Sequence, residues 1–388
     1  MSLVVVVACQ SGNGHKPLTT TTDSAGVTIV TNLGPQWGEG EGWRLAPTPT
    51  LDLGGVADPG PEEFSRIAAV RRLGSGLIVV AEDEALELRF FDLNGAHVRT
   101  VGRKGQGPGE FESISWLAPL GDDSLVVFGG RAARYSVFDT AGRFGRSWRL
   151  EQHDSVGYPG GVGLFQDGSV LARTRPTKVG TLADGMWSEP VYFHRYGRDL
   201  RFIDDIAESV SSETFVAVGE RGYTMLGVPF GRMSYSVAVG RTLLVAVSDV
   251  AEFRLYPTDG AAARIVRWPA KAIPVTAEEW DRQIGLYTDH PRTSDYIKAM
   301  YRRIPRKTAM PLLDRITAAD DGTIWIRRFA APEDTISTFL VFDGHGSWLG
   351  QVAGPRGFRP RHIGNDFVLG DWPDDDDVPH VRMYRLLK

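Results

Sequence analysis

The stretch Phe91-Asp92-Leu93-Asn94-Gly95 closes an apolar strand, and it is the first copy of an ending that the chain repeats. A second copy is Phe138-Asp139-Thr140-Ala141-Gly142, and looser copies occupy residues 256–260 and 342–346. Strands that open on a tight turn run through residues 74–80, 121–127, 166–171 and 321–326. Repeats of about 40 to 50 residues built only from short strands are typical of the blades of a β-propeller. The sequence therefore predicts an all-β propeller.

Composition supports one large β domain and argues against two classes of protein. The 388 residues include 45 glycines and 23 prolines, which suits a chain that turns often, and the hydrophobic share of 42% is enough for a core. The formal net charge of −5 argues against a nucleic-acid-binding protein, because such proteins normally carry a basic surface. The sequence contains no run of about 20 apolar residues, so no membrane-spanning helix is predicted.

The repeats divide the chain into six predicted blades. The first two are the most regular, because the turns at Gly76 and Asp123 are each followed 19 residues later by a glycine, Gly95 and Gly142. Alternating apolar and polar residues in the strands place one face of each strand against the neighbouring blade. The six blades are expected to begin near residues 67, 114, 162, 235, 316 and 362.

The two ends of the chain are predicted to meet in the last blade. The strand at residues 381–387 ends the chain before a fourth strand of that blade can follow. Residues 51–64 echo the inter-blade pattern seen at residues 100–111 and 351–358. We therefore expect the N-terminal segment to supply the outer strand of the sixth blade, which leaves no free sheet edge on the ring.

The strand pattern is interrupted between the fourth and fifth blades, at about residues 269–311. Thr276-Ala277-Glu278-Glu279 matches a capping box at the start of a helix, and Trp280, Ile284 and Tyr287 follow at helical spacing. A second helix is predicted over residues 295–304, with Pro305 after it. This helical insertion is either a clip packed on a blade face or a lid over the central channel.

Cys9 is the only cysteine, and it ends the apolar run 3–8 in a way that resembles a bacterial lipobox. Residues 1–9 are therefore predicted to be a lipoprotein signal segment with Cys9 as the lipid attachment site. Residues 10–26 are expected to form a flexible tether, and residues 27–388 the propeller. Only Met1 and Ser2 precede the apolar run, so the segment is expected to be truncated at its start. The alternative is a hydrophobic N-terminus with a chance cysteine.

The run from Val101 to Phe111, VGRKGQGPGEF, resembles the inter-blade sequence of bacterial six-bladed β-propeller lipoproteins related to the NHL-repeat proteins. The turn-and-strand runs at Gly76, Asp123 and Asp321 and the helical insertion fit the same family, and the resemblance covers roughly residues 27–388. It implies a fold much more than a function. Known relatives range from protein, glycan and RNA binding to metal-dependent lyase and lactonase chemistry.

The glycine-rich run at residues 102–109 is not predicted to bind a nucleotide, because Phe111 leads into a strand and a phosphate loop must open a helix. Its glycines allow backbone angles that other residues avoid, and Phe111 is expected to pack between two blades. Arg103 and Lys104 remain weak candidates for ligand binding, since blade connections carry function in propellers. Arg302 and Arg303 are candidates of the same kind, although they could instead stabilise a helix C-terminus.

No metal site or nucleophile can be assigned from the sequence. The eight histidines are scattered singly, which neither builds a zinc motif nor excludes ligands drawn from several blades. The four aspartates at residues 374–377 lack the spacing of a calcium loop and are expected to form a solvated hairpin tip. No cofactor is predicted, and a divalent ion such as Ca²⁺ stays open as an alternative.

The sequence thus favours a lipid-anchored, extracytoplasmic binding module that recognises a protein, peptide or glycan through its loops. The alternative is a metal-dependent hydrolase or lyase with its site in the central channel, and a purely structural envelope component is a third possibility. Gln10 is not the Asp that favours inner-membrane retention, so the anchor is expected in the outer membrane, facing the periplasm. We expect a monomer with no nucleic-acid partner, and membrane contact only through Cys9.

Overall fold

The structure is a computed structural model that describes residues 18–55, 60–121, 123–131, 133–151, 159–176, 182–219 and 222–388. These residues form thirty strands and two short helices, and most strands belong to antiparallel sheets of four or more. The many four-stranded sheets confirm the prediction of a nearly all-β protein with a propeller-like fold. The predicted signal segment at residues 1–9, with Cys9, lies outside the described residues.

The first two complete sheets come from the most regular repeats. Both are four-stranded antiparallel meanders in which each strand pairs with the next along the chain. Sheet 1 follows four N-terminal strands and is itself followed by sheet 2. The N-terminal strands are β1 (Thr19–Ser24), β2 (Val27–Asn32), β3 (Arg44–Leu45) and β4 (Leu51–Leu53). Sheet 1 consists of β5 (Ile67–Arg72), β6 (Ile78–Glu82), β7 (Glu87–Phe91) and β8 (His97–Val101). Sheet 2 consists of β9 (Trp116–Leu120), β10 (Ser124–Gly129), β11 (Arg134–Asp139) and β12 (Phe144–Arg149).

The repeated Phe-Asp-x-x-Gly ending forms the hairpin between the third and fourth strands of a sheet. In sheet 1, an oxygen of Asp92 accepts the backbone N–H groups of Asn94 and Ala96 at 2.8 Å, and Gly95 has a φ of +89°. Asp139 and Asp343 accept backbone N–H groups at the equivalent position of their copies, and Asp259, directly before Gly260, accepts the N–H of Ala261. The aspartate replaces a backbone acceptor in the turn, and glycine takes the left-handed position at no steric cost.

The third segment of the chain contains two sheets where the sequence analysis expected one. Sheet 3 has the order β13-β14-β16-β17, and a small sheet has the order β15-β18-β19. The small sheet was missed from the sequence. The strands are β13 (Gly160–Leu164), β14 (Val170–Thr174), β15 (Gly185–Trp187), β16 (Pro190–Tyr196), β17 (Phe202–Val210), β18 (Thr214–Gly219) and β19 (Gly222–Gly227).

Sheet 4 carries the N-terminal hairpin on its outer edge. Its strands are β20 (Ser234–Val239), β21 (Thr242–Val247), β22 (Glu252–Pro257) and β23 (Arg264–Arg267), and β2 pairs with β23 in parallel. Strand β1 pairs along its whole length with β2, although residues 19–24 fall within the segment assigned to the tether. The buried side chain of Asn32 then bonds to the carbonyl oxygens of Arg267 and Gly346 and to the N–H of Trp348. The hairpin therefore covers an edge and joins two sheets.

Sheets 5 and 6 complete the chain, and the N-terminal segment returns to sheet 6. Strand β4 pairs with β30 in the register Leu53↔Val381 and Leu51↔Met383, which is the pairing that the repeated inter-blade pattern led us to expect. Strand β3 pairs with the end of β30. The strands are β24 (Leu313–Ala318), β25 (Ile324–Arg328), β26 (Ile336–Phe342) and β27 (Trp348–Pro355) in sheet 5, and β28 (Arg359–Ile363), β29 (Phe367–Pro373) and β30 (Pro379–Leu387) in sheet 6.

The first strands of sheets 1 to 6 contact one another in a closed order. Strand β5 contacts β9, β9 contacts β13, β13 contacts β20, β20 contacts β24, β24 contacts β28, and β28 returns to β5. The hydrophobic core lies between neighbouring sheets: one cluster, for example, joins Val79 and Phe90 of sheet 1 to Leu125 and Phe138 of sheet 2. The first strands therefore surround a central channel.

The two helices α1 (Ala277–Thr288) and α2 (Asp295–Tyr301) lie between β23 and β24. The predicted capping box is present, because the hydroxyl of Thr276 accepts the N–H of Glu279 and the carboxylate of Glu279 accepts the N–H of Thr276. Trp280 and Met300 pack against Phe215 of the small sheet. The helices are thus fastened to a neighbouring sheet, and no residue of either helix lines the two channel cavities described below.

Candidate functional site

The central channel contains a cavity of about 680 Å³. It is lined where the first strands of several sheets end and where the turns after them begin, for example at Leu120, Gly240 and Ala318. We call this the wide mouth. A second cavity of about 240 Å³ lies further along the channel, toward the beginnings of the first strands, and shares Arg71 and Ala118 with the wide mouth.

The wide mouth is polar, and charged side chains of both signs line it. Arg71 and Arg198 supply positive charge, and Asp320 and Asp321 supply negative charge. Asp321 is held by Lys388 at 2.8 Å and by the hydroxyl of Thr323 at 2.7 Å. These two bonds hold the carboxylate of Asp321 in place, which suits recognition of a ligand with little change of shape.

His362 fixes Asp320 at the rim. Nδ1 of His362 accepts the backbone N–H of Arg72 at 3.0 Å, so Nε2 must carry the proton that it donates to Asp320 Oδ2 at 2.9 Å. Burial lowers the pKa of His362, and the charge of Arg71 lowers it further. Burial alone would raise the pKa of Asp320, but the bond from His362 and the charge of Arg71 hold it below its usual value. His362 is therefore a neutral positioning group with both nitrogens engaged.

A second histidine, His194, lies between a hydroxyl group and a carboxylate. Nε2 of His194 lies 2.6 Å from the hydroxyl of Thr174, and Nδ1 lies 2.7 Å from Asp205 Oδ1. These roles match those of a hydrolytic triad. However, Thr174 is 1% exposed and His194 is 2% exposed, so a substrate carbonyl cannot reach the hydroxyl. The arrangement is a structural network of sheet 3, in which Thr174 and His194 are buried and Asp205 is exposed.

An arginine cluster lies at the beginnings of β24 and β28. Asp371 is nearly buried, and its carboxylate lies 2.8 Å from Nε of Arg359 and also accepts Nε of Arg361. Arg361 lines the smaller cavity. Arg327 makes a two-pronged contact with Asp314, at 2.6 and 2.9 Å. Arg315 stands among these groups, and its Nε is buried without a hydrogen-bond partner.

The residues proposed from the sequence lie elsewhere. Cys9 is outside the described residues. Arg103 is exposed and pairs with Glu110 at 2.8 Å, and Lys104 is exposed in the same connection, which runs from the end of β8 to the beginning of β9. Arg302 is the C-cap residue of α2, in line with the helix-terminus alternative. None of the four arginine and lysine candidates lines either channel cavity.

Arg303 anchors the insertion to a loop beside the small sheet. Its guanidinium binds the carboxylate of Asp184 and lies 5.9 Å from the centre of the Phe215 ring. The pKa of Asp184 is held below its usual value by the N–H of Val218 and by Arg303. Arg303 therefore has a structural partner on each side.

The glycine-rich run has the structural role expected from the sequence. Gly102 has a φ of +89°, and a Cβ atom there would lie 2.5 Å from the ring of Phe111. Phe111 is 3% exposed and packs against Phe138 of the next sheet. Only glycine fits both the backbone angle and the close approach.

The aspartate run 374–377 forms the hairpin tip between β29 and β30, as expected. One oxygen of Asp374 accepts the N–H groups of Asp376 and Val378 at 2.9 and 2.8 Å. These backbone bonds lower the pKa of Asp374. Within the described ranges, no three His, Cys, Asp or Glu side chains converge as ligands for a metal ion.

Sequence reasoning missed Arg71, Arg315, Arg361 and Asp371. One signal was available: Arg71, Arg315 and Arg361 are charged residues inside short first strands that also bury apolar side chains. Such residues rarely occupy a buried strand without a partner or a ligand. The residues that they would meet on neighbouring strands are far apart in the sequence, so the cluster itself could not be predicted.

Comparison with solved structures supports the propeller fold. A member of the DUF4221 family from Bacteroides vulgatus is 10% identical, with a TM-score of 0.51, and the match covers 89% of this chain and 99% of that chain. An exported protein from Bacteroides fragilis is 11% identical, with a TM-score of 0.49 and coverage of 92% and 99%. Virginiamycin B lyase from Staphylococcus aureus is 10% identical, with a TM-score of 0.42 and coverage of 88% and 99%.

Identities this low show the fold alone, and the first of these structures carries that conclusion because its TM-score exceeds 0.5. No protein-family model matches the sequence. No curated protein matches it either. In the described part of the chain, neither helix is long and apolar enough to cross a membrane.

Proposed function

We propose that this protein is a binding module in which a rigid, six-bladed propeller presents the wide mouth of its channel to a protein, peptide or glycan. The observation that carries the proposal is the cavity of about 680 Å³ formed where the first strands end. Binding sites are typically concave and largely pre-formed, with a few fixed polar groups. Asp320 and Asp321 are such groups, because neighbouring side chains hold both in place.

The closed order of first-strand contacts supports the count of six blades. Each of sheets 1 to 6 contributes one strand to the channel wall, and the last contacts the first. The pairing of β4 with β30 gives the sixth blade its outer strand and leaves the ring closed. A ring that needs no second copy to cover its edges is compatible with a monomer. The propeller domain then begins at or before Thr19, the first residue of β1.

The alternative proposal, a metal-dependent hydrolase or lyase in the channel, has less support from the described residues. Such a site draws three or more carboxylate or imidazole ligands to one point. At the wide mouth, Asp320 and Asp321 are the only two carboxylates among the lining residues, and both already bind other side chains of this chain. His362 is turned toward Asp320 by its bond from the backbone of Arg72.

A matched pair of charge reversals tests which face binds the ligand. Arg198 lines the wide mouth, and Arg103 lies in a connection on the face where the first strands begin; both are exposed. We expect Arg198→Glu to weaken binding of a ligand selected on glycan and peptide arrays by about 10-fold or more, since a lost charged contact costs about 1.5–3 kcal/mol. Arg103→Glu is expected to leave the affinity unchanged. Calorimetric titration measures both.

If Arg103→Glu weakens binding and Arg198→Glu does not, the ligand binds on the face where the first strands begin, and the wide mouth is refuted as its site. Repeating the titration with EDTA tests the alternative function. A binding module keeps its affinity, whereas a metal-dependent site loses the ligand together with the ion.

We also propose that the protein is attached to the cell envelope through a lipid on Cys9, facing the periplasm from the outer membrane. The lipobox-like run before Cys9 and Gln10 after it support this proposal. Cys9→Ser is expected to move the protein from the membrane fraction to the soluble fraction, because two acyl chains supply stable anchoring that the polypeptide lacks. Detergent partitioning measures the change, with Ser11→Ala as the control. Equal partitioning of the Cys9→Ser variant and the parent would rule out the anchor.

A further inference from the structure

The arginine cluster at the beginnings of β24 and β28 holds more positive than negative charge. Among the described residues, the side chains of Arg315, Arg327, Arg359 and Arg361 have two aspartates near them, Asp314 and Asp371, which leaves an excess of two positive charges. Asp314 is fully committed to Arg327, and Asp371 is shared between Arg359 and Arg361. Arg315 is therefore the guanidinium that has no counter-charge of its own.

Arg315 has the features of a side chain that waits for a partner. Its Nε is buried and makes no hydrogen bond, and no ion pair involves it among the described residues. Burial and the nearby charge of Arg361 lower its pKa to about 10, and the charge of Asp371 offsets only part of this. The group is still a cation at neutral pH. Arg315 is partly exposed, but its Nε is buried without a hydrogen-bond partner, and an unpaired buried polar atom of this kind marks a candidate functional site.

Side chains with donor groups come from three first strands that contact one another in sequence, β20, β24 and β28. Arg361 lines the cavity of about 240 Å³; its Nε bonds to Asp371, and its Nη1 makes a long contact of 3.5 Å to the carbonyl oxygen of Ala68. Tyr235, at the beginning of β20, lies close enough to feel the charges of Asp314 and Arg315, and burial raises its pKa to about 12. Its hydroxyl is therefore protonated at neutral pH and able to donate.

We propose that Arg315 and Arg361, with the hydroxyl of Tyr235, form an oxyanion-binding site in the channel, distinct from the wide mouth. The ligand group is a carboxylate or a phosphate, because the planar guanidinium fork matches two oxygens of either. Arg361 lines the cavity of about 240 Å³, which admits a small anion or the anionic end of a larger molecule. Arg315 lies on β24, which contacts the strand of Arg361, and Tyr235 lies on β20, which contacts β24. The bound anion supplies the counter-charge that Arg315 lacks, while Asp371 holds Arg361 in position.

Arg315→Met in the 388-residue protein tests the site directly. The probes are inorganic phosphate and acetate, titrated by calorimetry at pH 7 with sodium chloride holding the ionic strength constant. We expect saturable binding of at least one probe, weakened about 10- to 100-fold by Arg315→Met, since a charged hydrogen bond is worth about 1.5–3 kcal/mol. Arg143→Met is the matched control, because Arg143 is an exposed arginine at a hairpin of sheet 2. It should bind both probes as the parent does.

Further measurements keep the test decisive. Arg315→Met breaks no hydrogen bond or ion pair of the described residues, so its melting temperature in chloride is expected to match or exceed that of the parent. Arg315→Lys keeps the charge but loses the fork, and it should bind with intermediate affinity. Tighter binding of phosphate assigns a phosphate-bearing ligand, and tighter binding of acetate assigns a carboxylate. Unchanged affinity in a folded Arg315→Met protein, or no binding of either probe, would overturn the proposal while leaving the wide mouth untouched.

Discussion

Replacing Asp371 with alanine is expected to lower the free energy of unfolding by about 1.5–3 kcal/mol, because it removes a buried carboxylate that bonds to the partly exposed guanidinium groups of Arg359 and Arg361. The carboxylate side chain is 6% exposed and lies against both Arg359 and Arg361. It also offsets part of the repulsion on Arg315. Urea unfolding at pH 7 measures the change, with the slope against urea concentration compared to confirm that both proteins unfold in the same way.

Asp52→Ala is the matched control for this prediction. Asp52 also accepts from an arginine, Arg382, at 2.9 Å, and it also lies in sheet 6, but its side chain is 36% exposed. An ion pair that water can reach contributes about 0–1 kcal/mol. If Asp371→Ala loses no more free energy of unfolding than Asp52→Ala, water screens the arginine cluster and its positive charges do not repel one another measurably.

A double substitution tests whether Asp371 and Arg315 interact. Arg315→Met in the Asp371→Ala background removes a neighbouring cation whose repulsion Asp371 partly offsets in the parent protein. The two free-energy changes should therefore not add, with a coupling of about 0.5–3 kcal/mol in the direction of rescue. Additive changes would mean that Asp371 and Arg315 do not interact, which would remove one argument for the oxyanion site.

The sequence predicted those parts of the fold that depend on local chemistry. The aspartate and glycine of the repeated ending form a hairpin by themselves, through bonds such as those from Asn94 and Ala96 to Asp92. The capping box at Thr276 is equally local. Elements that depend on distant partners were missed. Four threonines at residues 19–22 were assigned to a flexible tether, yet they form β1, whose hairpin docks on β23 more than 230 residues away.

The small sheet shows the same limit. Strand β15 has only three residues, and β18 and β19 bury their apolar face against the helices, for example Phe215 against Trp280. Nothing in the sequence around Phe215 indicates that it packs against Trp280, or the reverse. The candidate site was harder still, because Arg71, Arg315 and Arg361 come from three first strands that only the closed ring brings together. The sequence analysis instead favoured exposed cations in connections, such as Arg103, where solvent already satisfies the charge.

Replacing Leu53 with aspartate is expected to lower the free energy of unfolding by about 4 kcal/mol or more. Leu53 is 2% exposed and packs with Val381 of sheet 6 and Ile78 of sheet 1, so it seals the junction between the two ends of the ring. The variant loses the burial of a leucine, worth about 1.5–3 kcal/mol, and places a carboxylate among apolar side chains without a partner.

Leu33→Asp makes the same chemical change in the same N-terminal segment, at a side chain that is 58% exposed, and it is expected to alter the free energy of unfolding by about 0.5 kcal/mol or less. Hydrogen exchange adds a spatial readout. In Leu53→Asp, the amides of β4, β30 and β5 should lose protection first, because opening at the junction exposes these three strands before the other sheets separate. Uniform loss of protection in all sheets, or equal stability of the two aspartate variants, would mean that β4 is an accessory strand and that the ring closes without it.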